Sequence, residues 1–220
     1  MSANLRYNPE LVQGIIAGGS EAIYKAVEGV EDNEELGRCS IQEREITDMD
    51  VIIGITASGR TPFVLGAIRE AKKRGAATIG ISNCHGSRIQ DEVDKAITVL
   101  VGPEVIMGST RMKSGTSQKL VLNMITTTLM IKLGRVYGNL MVDLQPTNEK
   151  LFDRAIRIIM CATDISYEEA EKFFELSELN PKIAIVMVKT GLSRANAEKL
   201  LKKGEDFVTK AVNLHNSTLK

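Results

Sequence analysis

The sequence contains little that suits a disulfide-rich, membrane-spanning or nucleic-acid-binding protein. Its three cysteines are far apart and form no Cys-x-x-Cys pair, which is typical of free thiols in a reducing compartment. No apolar run approaches the ~18 residues of a membrane helix, and no basic start precedes an apolar segment. Basic and acidic residues number 28 each, so the chain lacks the basic excess of a typical nucleic-acid binder. These absences predict a cytoplasmic protein without a nucleic-acid or membrane partner.

Histidine is also scarce, which limits the possible chemistry. The two histidines, His85 and His215, lie far apart in the sequence, so a histidine-based metal site or a Ser-His-Asp triad is not expected. Cys84 has no identifiable general base beside it and is interpreted as a small buried thiol. At 220 residues the chain is long enough for one full core and a small second module.

The first 147 residues are predicted to form an α/β domain. Apolar runs typical of strands alternate with amphipathic segments typical of helices, which favours right-handed βαβ units in a parallel sheet covered on both faces. The expected strands are 11–17, 50–56, 77–82 and 96–101, and the expected helices are 21–27, 62–74 and 116–133. The pattern predicts a doubly wound parallel sheet.

After residue 147 the pattern becomes helical, with no interleaved strands. Ser166 and Glu169 have the spacing of a capping box, and Asn180 followed by proline is typical of a helix start. Residues 183–188 fit a strand or a helix, because periodicity does not separate the two in a short apolar run. The prediction for 148–220 is a small module of three or four helices.

The segment Thr56-Ala57-Ser58-Gly59-Arg60-Thr61 joins an expected strand to an expected helix. Ligands of open α/β sheets bind beyond the carboxyl ends of strands, where helix N-termini present unpaired N–H groups and a positive dipole end. Ser58 and Thr61 add hydroxyl donors, and Gly59 permits close backbone approach. Arg60 either pairs with the anion or points elsewhere. Hydroxyls at helix starts also serve as simple N-caps, but the surplus of donors favours an anion site.

A second polar loop begins at residue 103, after the fourth expected strand. It contains Ser109, Thr110 and Arg111, with Glu104 near its start. Alone it is interpreted as a solvated loop with an N-cap, but two such loops after neighbouring strands can line one cleft. Neither loop matches a Walker A or a Gly-x-Gly-x-x-Gly pattern, so the fingerprints of nucleoside triphosphate and dinucleotide binding are missing.

Four segments carry a family resemblance: "IAGGSEAIYKAVEGVED" (16–32), "ASGRTPFV" (57–64), "GSTRMKSGTSQKLVLNM" (108–124) and "GNLMVDLQPTNEKL" (138–151). The turn at 56–61 resembles the phosphate cradle of sugar isomerase (SIS) domains. Together the four segments resemble the N-acetylmuramic acid 6-phosphate etherases. Those enzymes cleave the D-lactyl ether of their phosphosugar to N-acetylglucosamine 6-phosphate and D-lactate during peptidoglycan recycling.

The resemblance implies a carbon–oxygen lyase that uses no cofactor or metal and acts as a homodimer on a phosphorylated amino sugar. It implies an SIS-type domain over 1–147, N-terminally incomplete relative to the family, and a ubiquitin-associated-like helical domain over 148–220. The implied substrate-binding residues are Thr56, Ser58, Gly59, Arg60, Thr61, Glu104, Ser109, Thr110 and Arg111. One of the two family catalytic glutamates falls on Glu31. The other, the proton donor, precedes the matched region, so an impaired etherase is expected.

Two alternatives to the etherase stay open. One is a non-catalytic phosphosugar-binding regulatory module, and the other is a phosphosugar isomerase with Glu104 as its base. Without the resemblance, Glu31 would be interpreted as an exposed acid in an acidic loop. The segments AVEGVED and GSTRMKSGT fit the etherases better than the isomerases.

Overall fold

The computed structural model describes residues 9–218. One unit comprises residues 12–122, and the other comprises residues 123–218 with residues 9–11. Short 3-10 helices at Pro9–Leu11 and Gly19–Ile23 come first. The elements that follow up to the end of the first unit are α1 (Glu34–Gln42), β1 (Val51–Ile55), α2 (Pro62–Lys73), β2 (Ala77–Ser82), α3 (Arg88–Glu92), β3 (Lys95–Thr98) and α4 (Lys113–Lys132), which continues into the second unit.

The sheet of the first unit has three parallel strands in the order β1-β2-β3. Ile53 of β1 lies opposite Ile79 of β2, and Ile81 lies opposite Ile97 of β3, so apolar side chains continue from strand to strand. The chain passes from β1 to β2 through α2 and from β2 to β3 through α3, as in βαβ units. The predicted α/β class with a parallel sheet is confirmed, and the three strands lie close to their expected positions.

The expected strand at 11–17 and the expected helix at 21–27 are wrong. The first is irregular after its opening residue, and the second is replaced by the 3-10 turn Gly19–Ile23. Gly18 and Gly19 have positive φ angles of 84° and 65°, which neither a strand nor a regular helix contains. The two glycines interrupt the apolar run before it can pair with the sheet.

Helix α1 is absent from the sequence-based expectations because its sequence is acidic and polar. The Asn33 side chain caps it by accepting a hydrogen bond from Leu36 N at 3.0 Å. Its buried residues are Gly37 and Ile41, and a glycine contributes nothing to an apolar pattern. Asn33 followed by acids in the first turn was the available signal for a helix start.

Helices α1 and α2 approach each other through two glycines. A Cβ on Gly37 would lie 1.9 Å from Phe63 O, and a Cβ on Gly66 would lie 2.1 Å from Glu34 O. Each glycine therefore faces the main chain of the other helix, and neither position has room for a side chain. This packing holds the segment that precedes α1 against the start of α2.

We expect Gly37→Ala to lower the free energy of unfolding by about 1–3 kcal/mol, because the helices must separate to admit a methyl group. Gly115→Ala is the matched control. Gly115 lies in α4, and its new Cβ would meet only Thr110 O, at 3.6 Å. There alanine should be neutral or stabilise by up to about 1 kcal/mol through its helix propensity. Urea unfolding measures both variants. Parental stability of Gly37→Ala would contradict the close packing of α1 on α2.

The second unit is helical apart from a short antiparallel hairpin of β4 (Val136–Tyr137) and β5 (Leu140–Met141). Its further helices are α5 (Glu149–Thr163), α6 (Tyr167–Leu176), α7 (Pro181–Thr190), α8 (Arg194–Lys203) and α9 (Val208–Thr218). They enclose a core that includes Phe174, Ile156, Ile159 and Ile185, each fully buried. Within the described residues this unit has more helices after residue 147 than the three or four expected.

The helix starts of the second unit follow the sequence signals. Ser166 and Glu169 form the predicted capping box. The Asn180 side chain accepts a hydrogen bond from Ile183 N at 3.3 Å, and residues 183–188 are helical. The division at residue 147 and the ubiquitin-associated likeness of the tail stay predictions.

Candidate functional site

Three hydroxyl groups cluster in the loop between β1 and α2. Thr56 Oγ1 lies 2.7 Å from Thr61 Oγ1 and 3.3 Å from Ser58 Oγ. We call Thr56, Ser58 and Thr61 the hydroxyl cluster. Thr61 is the N-cap residue of α2, yet its side chain makes no capping hydrogen bond. The interpretation of these hydroxyls as simple caps is therefore wrong, and hydroxyls bonded to one another can turn towards a ligand.

Gly59 gives the loop its turn. Its φ is 67°, its N–H donates to Thr56 O at 3.2 Å, and its carbonyl accepts from Ile89 N at 3.0 Å. A Cβ on Gly59 would lie 2.3 Å from both Cβ and Oγ of Ser87. Gly59 is thus required by the close approach of Ser87, and it does not itself line the cavity described below.

The start of α2 presents few free N–H groups. Pro62 at the first helical position has none, and Phe63 N donates to Glu31 O at 3.0 Å. Val64 N has no acceptor among residues 9–218. The first turn of α2 itself therefore adds one free main-chain N–H to the hydroxyl cluster, at the positive end of the helix dipole.

A cavity of about 680 Å³ lies beside the hydroxyl cluster. The cluster, Glu31, Asp32, Arg60, Thr110 and Gln118 contribute its polar lining, and isoleucines of β1 and of the preceding segments contribute an apolar wall. An apolar wall with a few convergent polar groups is the usual form of a small-molecule site, and the volume suits a ligand of sugar-phosphate size.

Glu31 lines this cavity with an exposed carboxylate. Its main chain is fixed by the hydrogen bond to the start of α2, and its side chain forms no ion pair with a described residue. Two acids further along the segment differ, and the first of them, Glu34, pairs with Arg69. Glu35 likewise pairs with Arg38. Glu31 therefore combines a fixed main chain with a carboxylate that is free for chemistry.

Arg60 is exposed on the same cavity. It makes no ion pair within the described part of the chain, and its N–H donates to Ser58 Oγ at 3.3 Å. A guanidinium matches the geometry of a phosphate group, so Arg60 is an available positive charge next to the hydroxyl cluster.

Glu104 lies at the start of α4, where its carboxylate caps the helix. Its two oxygens accept hydrogen bonds from Lys113 N and Ser114 N, both at 3.0 Å. These bonds, that of Lys113 first, hold the pKa of Glu104 below its ordinary value. A carboxylate stabilised in this way is a poor general base, which counts against the isomerase alternative.

The second polar loop contributes less to the cavity than expected. Of Ser109, Thr110 and Arg111, Thr110 lines it and the other two do not. Ser109 Oγ instead accepts a hydrogen bond from Arg111 N at 3.4 Å. Sequence reasoning missed Gln118 and Asp32, because the first lies inside a helical pattern and the second merges with an acidic stretch.

The other groups considered from the sequence lie outside the cavity. Cys84 is exposed, so its interpretation as a buried thiol is wrong; its loop position, beyond the end of β2, keeps it from the core. His85 beside it is also exposed. Among the residues that the structure describes, no His, Cys, Asp and Glu side chains form a group suited to a metal ion. None of the helices in that part is both long and apolar enough to cross a membrane.

Two family models match parts of this chain. A family model of the SIS domain matches residues 27–128, which include every polar cavity residue named above. A model of the C-terminal lid domain of glucokinase regulatory protein matches residues 138–177.

Several curated relatives share one name. A Clostridium acetobutylicum protein named N-acetylmuramic acid 6-phosphate etherase is 62% identical over 207 residues, which cover 94% of this chain and 68% of the relative. A protein of the same name from Clostridioides difficile is 52% identical over 203 residues, 92% of this chain and 67% of the relative. N-acetylmuramic acid 6-phosphate etherase 1 of Bacillus licheniformis is 50% identical over 208 residues, 94% of this chain and 68% of the relative.

Proposed function

We propose that this chain, which belongs to the N-acetylmuramic acid 6-phosphate etherase family, binds that phosphosugar in the cavity beside the hydroxyl cluster and cleaves its lactyl ether. The observation that carries the proposal is the placement of the hydroxyl cluster, Arg60 and Glu31 on one cavity. The cluster supplies hydrogen-bond donors and the guanidinium a positive charge for a phosphate, and the carboxylate supplies a base for proton transfer.

In the proposed complex the phosphate sits at the hydroxyl cluster. Ser58, Thr61 and the free Val64 N–H donate to its oxygens, and Arg60 offsets its charge. The apolar wall excludes water from the sugar ring. Since the phosphate is at one end of the substrate, its binding fixes the distance between the ring and Glu31.

Glu31 is proposed to act as the base that removes the proton from C2 of the sugar. The electron pair of that C–H bond forms a C2–C3 double bond as the C3–O bond breaks, and the lactate leaves with the ether oxygen, which takes a proton from a water molecule. The hydroxyl group of that water then adds to C3 and the proton held by Glu31 returns to C2, which gives N-acetylglucosamine 6-phosphate and an ionised Glu31. Carboxyl groups suit such proton transfers when they lie within reach of the reacting atom.

The test is to incubate the protein with N-acetylmuramic acid 6-phosphate and to measure both the thermal shift and the release of D-lactate. We expect Glu31→Gln to keep the thermal shift and to lower the rate of lactate release about 100-fold or more. Glu28→Gln is the matched control, because Glu28 is an exposed acid of the same segment that does not line the cavity. It should behave as the parent does.

The outcomes separate the alternatives. A shift without lactate from the parent protein would favour a non-catalytic phosphosugar-binding module. The absence of both signals would contradict the substrate assignment.

We further propose that the protein works as a homodimer in the cytoplasm. The family resemblance supports the dimer. The free cysteines, of which Cys84 and Cys161 are exposed, suit a reducing compartment.

A further inference from the structure

We infer that Gln118 recognises the 2-acetamido group of the bound sugar by accepting a hydrogen bond from its N–H. This inference rests on the proposed function, because it takes the ligand to be a phosphorylated amino sugar. Gln118 lies on α4 and lines the same cavity as the hydroxyl cluster. It is half-buried, so it borders the ligand space from a partly desolvated position.

A chain of hydrogen bonds fixes which way the Gln118 amide points. The Ser117 hydroxyl donates to Ser114 O at 2.8 Å, so Ser117 Oγ accepts from Asn83 Nδ2, at 2.8 Å. Asn83 Nδ2 also donates to Val99 O at 2.9 Å. With its NH₂ group engaged by two acceptors, Asn83 presents its oxygen to Gln118, whose Nε2 donates to it at 2.9 Å. A flipped Gln118 would place two oxygens against each other.

The consequence is a fixed acceptor at the cavity. No described residue donates to Gln118 Oε1. The network is also attached to the loop between β1 and α2, because Asn83 N donates to Ala57 O at 3.0 Å, next to Ser58 of the hydroxyl cluster. The carbonyl of Gln118 is therefore held in a constant relation to the proposed phosphate position.

A fixed acceptor distinguishes ligand groups by whether they can donate a hydrogen bond, accept one, or do both. A sugar hydroxyl both donates and accepts, so it would bind either orientation of an amide and would not need a fixed one. The N–H of an acetamido group only donates, and it requires the oxygen that Asn83 forces Gln118 to present. The network thus fixes an acceptor, and an N-acetylated amino sugar has one group outside its phosphate that only donates, the N–H of the acetamido group.

The test compares two ligands that share the phosphate and differ at C2: N-acetylglucosamine 6-phosphate, and 2-deoxyglucose 6-phosphate, which has no donor at that carbon. Calorimetry should show that the parent prefers the first ligand and that Gln118→Leu lowers that preference about five- to tenfold. The affinity for 2-deoxyglucose 6-phosphate should stay within about twofold of the parental value, which a general loss of folding would not allow.

Two further variants complete the design. Gln118→Met keeps an unbranched side chain and serves if the leucine variant is unstable; it should lose the same preference. Lys119→Leu changes an exposed neighbour on α4 that does not line the cavity, and it should keep the parental preference.

Two outcomes would overturn the inference, and they are distinguishable. If both ligands bind and the preference persists in both Gln118 variants, Gln118 does not read the acetamido group, while phosphosugar binding stands. If neither ligand binds the parent protein, the proposed function fails and this inference fails with it.

Discussion

The double variant Ser58→Ala/Thr61→Val should lose at least about 100-fold in affinity for N-acetylglucosamine 6-phosphate. A hydrogen bond to a charged group contributes about 1.5–3 kcal/mol, so the loss of two amounts to about 3 kcal/mol or more. Valine keeps the branched shape of Thr61, so the change removes the hydroxyl while the start of α2 keeps its packing. Titration calorimetry of the folded variant measures the loss.

The same double variant should also lower the stability of the unliganded protein, and this effect has to be measured separately from the loss of affinity. Thr56 is buried, at 6% exposure, and its hydroxyl would lose both partners, Ser58 and Thr61. An unpaired buried hydroxyl costs about 1–3 kcal/mol, so urea unfolding without ligand is measured in parallel.

Two single variants serve as controls for the hydroxyl cluster. Thr61→Ser keeps the hydroxyl and should keep most of the parental affinity. Ser109→Ala removes a hydroxyl from the second loop that does not line the cavity, and it should bind as the parent does. Parental affinity in the double variant would mean that the phosphate is held elsewhere, and a loss in Ser109→Ala would extend the site from Thr110 to Ser109.

Gly59→Ala is expected to lower the free energy of unfolding by about 2–5 kcal/mol. Its φ of 67° costs a residue with a Cβ about 1–2 kcal/mol, and the overlap with Ser87 adds about 1–3 kcal/mol. Because the loop must move to admit the methyl group, phosphosugar binding should be lost as well. The sequence contains no tryptophan, so circular dichroism in urea is the suitable measurement.

Gly86→Ala is the matched control for Gly59→Ala. Gly86 has a similar φ of 61°, but nothing lies within 4 Å of its Cβ position. Its alanine variant therefore carries the backbone strain without the overlap and should lose about 1–2 kcal/mol. The difference between the two variants isolates the contact with Ser87. Equal losses would show that Ser87 moves aside without cost.

Much of the α/β unit is predictable because its signals are local. The β-branched run of β1, Pro62 at the first position of α2 and Gly75 after its end define a strand, a loop and a helix without knowledge of the fold. Gly75 has a φ of 85°, as its place beyond the helix end requires. The hydroxyl cluster follows from this local order, since it lies between the strand and the helix.

The remaining features depend on contacts between distant residues. Helix α1 packs through Gly37, whose importance arises from the main chain of α2 and leaves no apolar signal in the sequence. Glu104 is a helix cap because Lys113 and Ser114 meet it nine and ten residues later in the chain. Gln118 becomes an oriented acceptor only through Asn83, 35 residues away. Propensity and periodicity do not contain such pairings.

The start of α2 has a consequence for the ionisation of the ligand. A phosphate monoester loses its second proton near pH 6. An N–H group only donates, so a site made of N–H groups alone can bind phosphate oxygens only through their lone pairs. The first turn of α2 has one free N–H, that of Val64, and it lies beside three rotatable hydroxyls. A hydroxyl that donates to the dianion can turn and accept from the P–O–H of the monoanion. The loop is thereby suited to hold the sugar in either protonation state, on both sides of that pH.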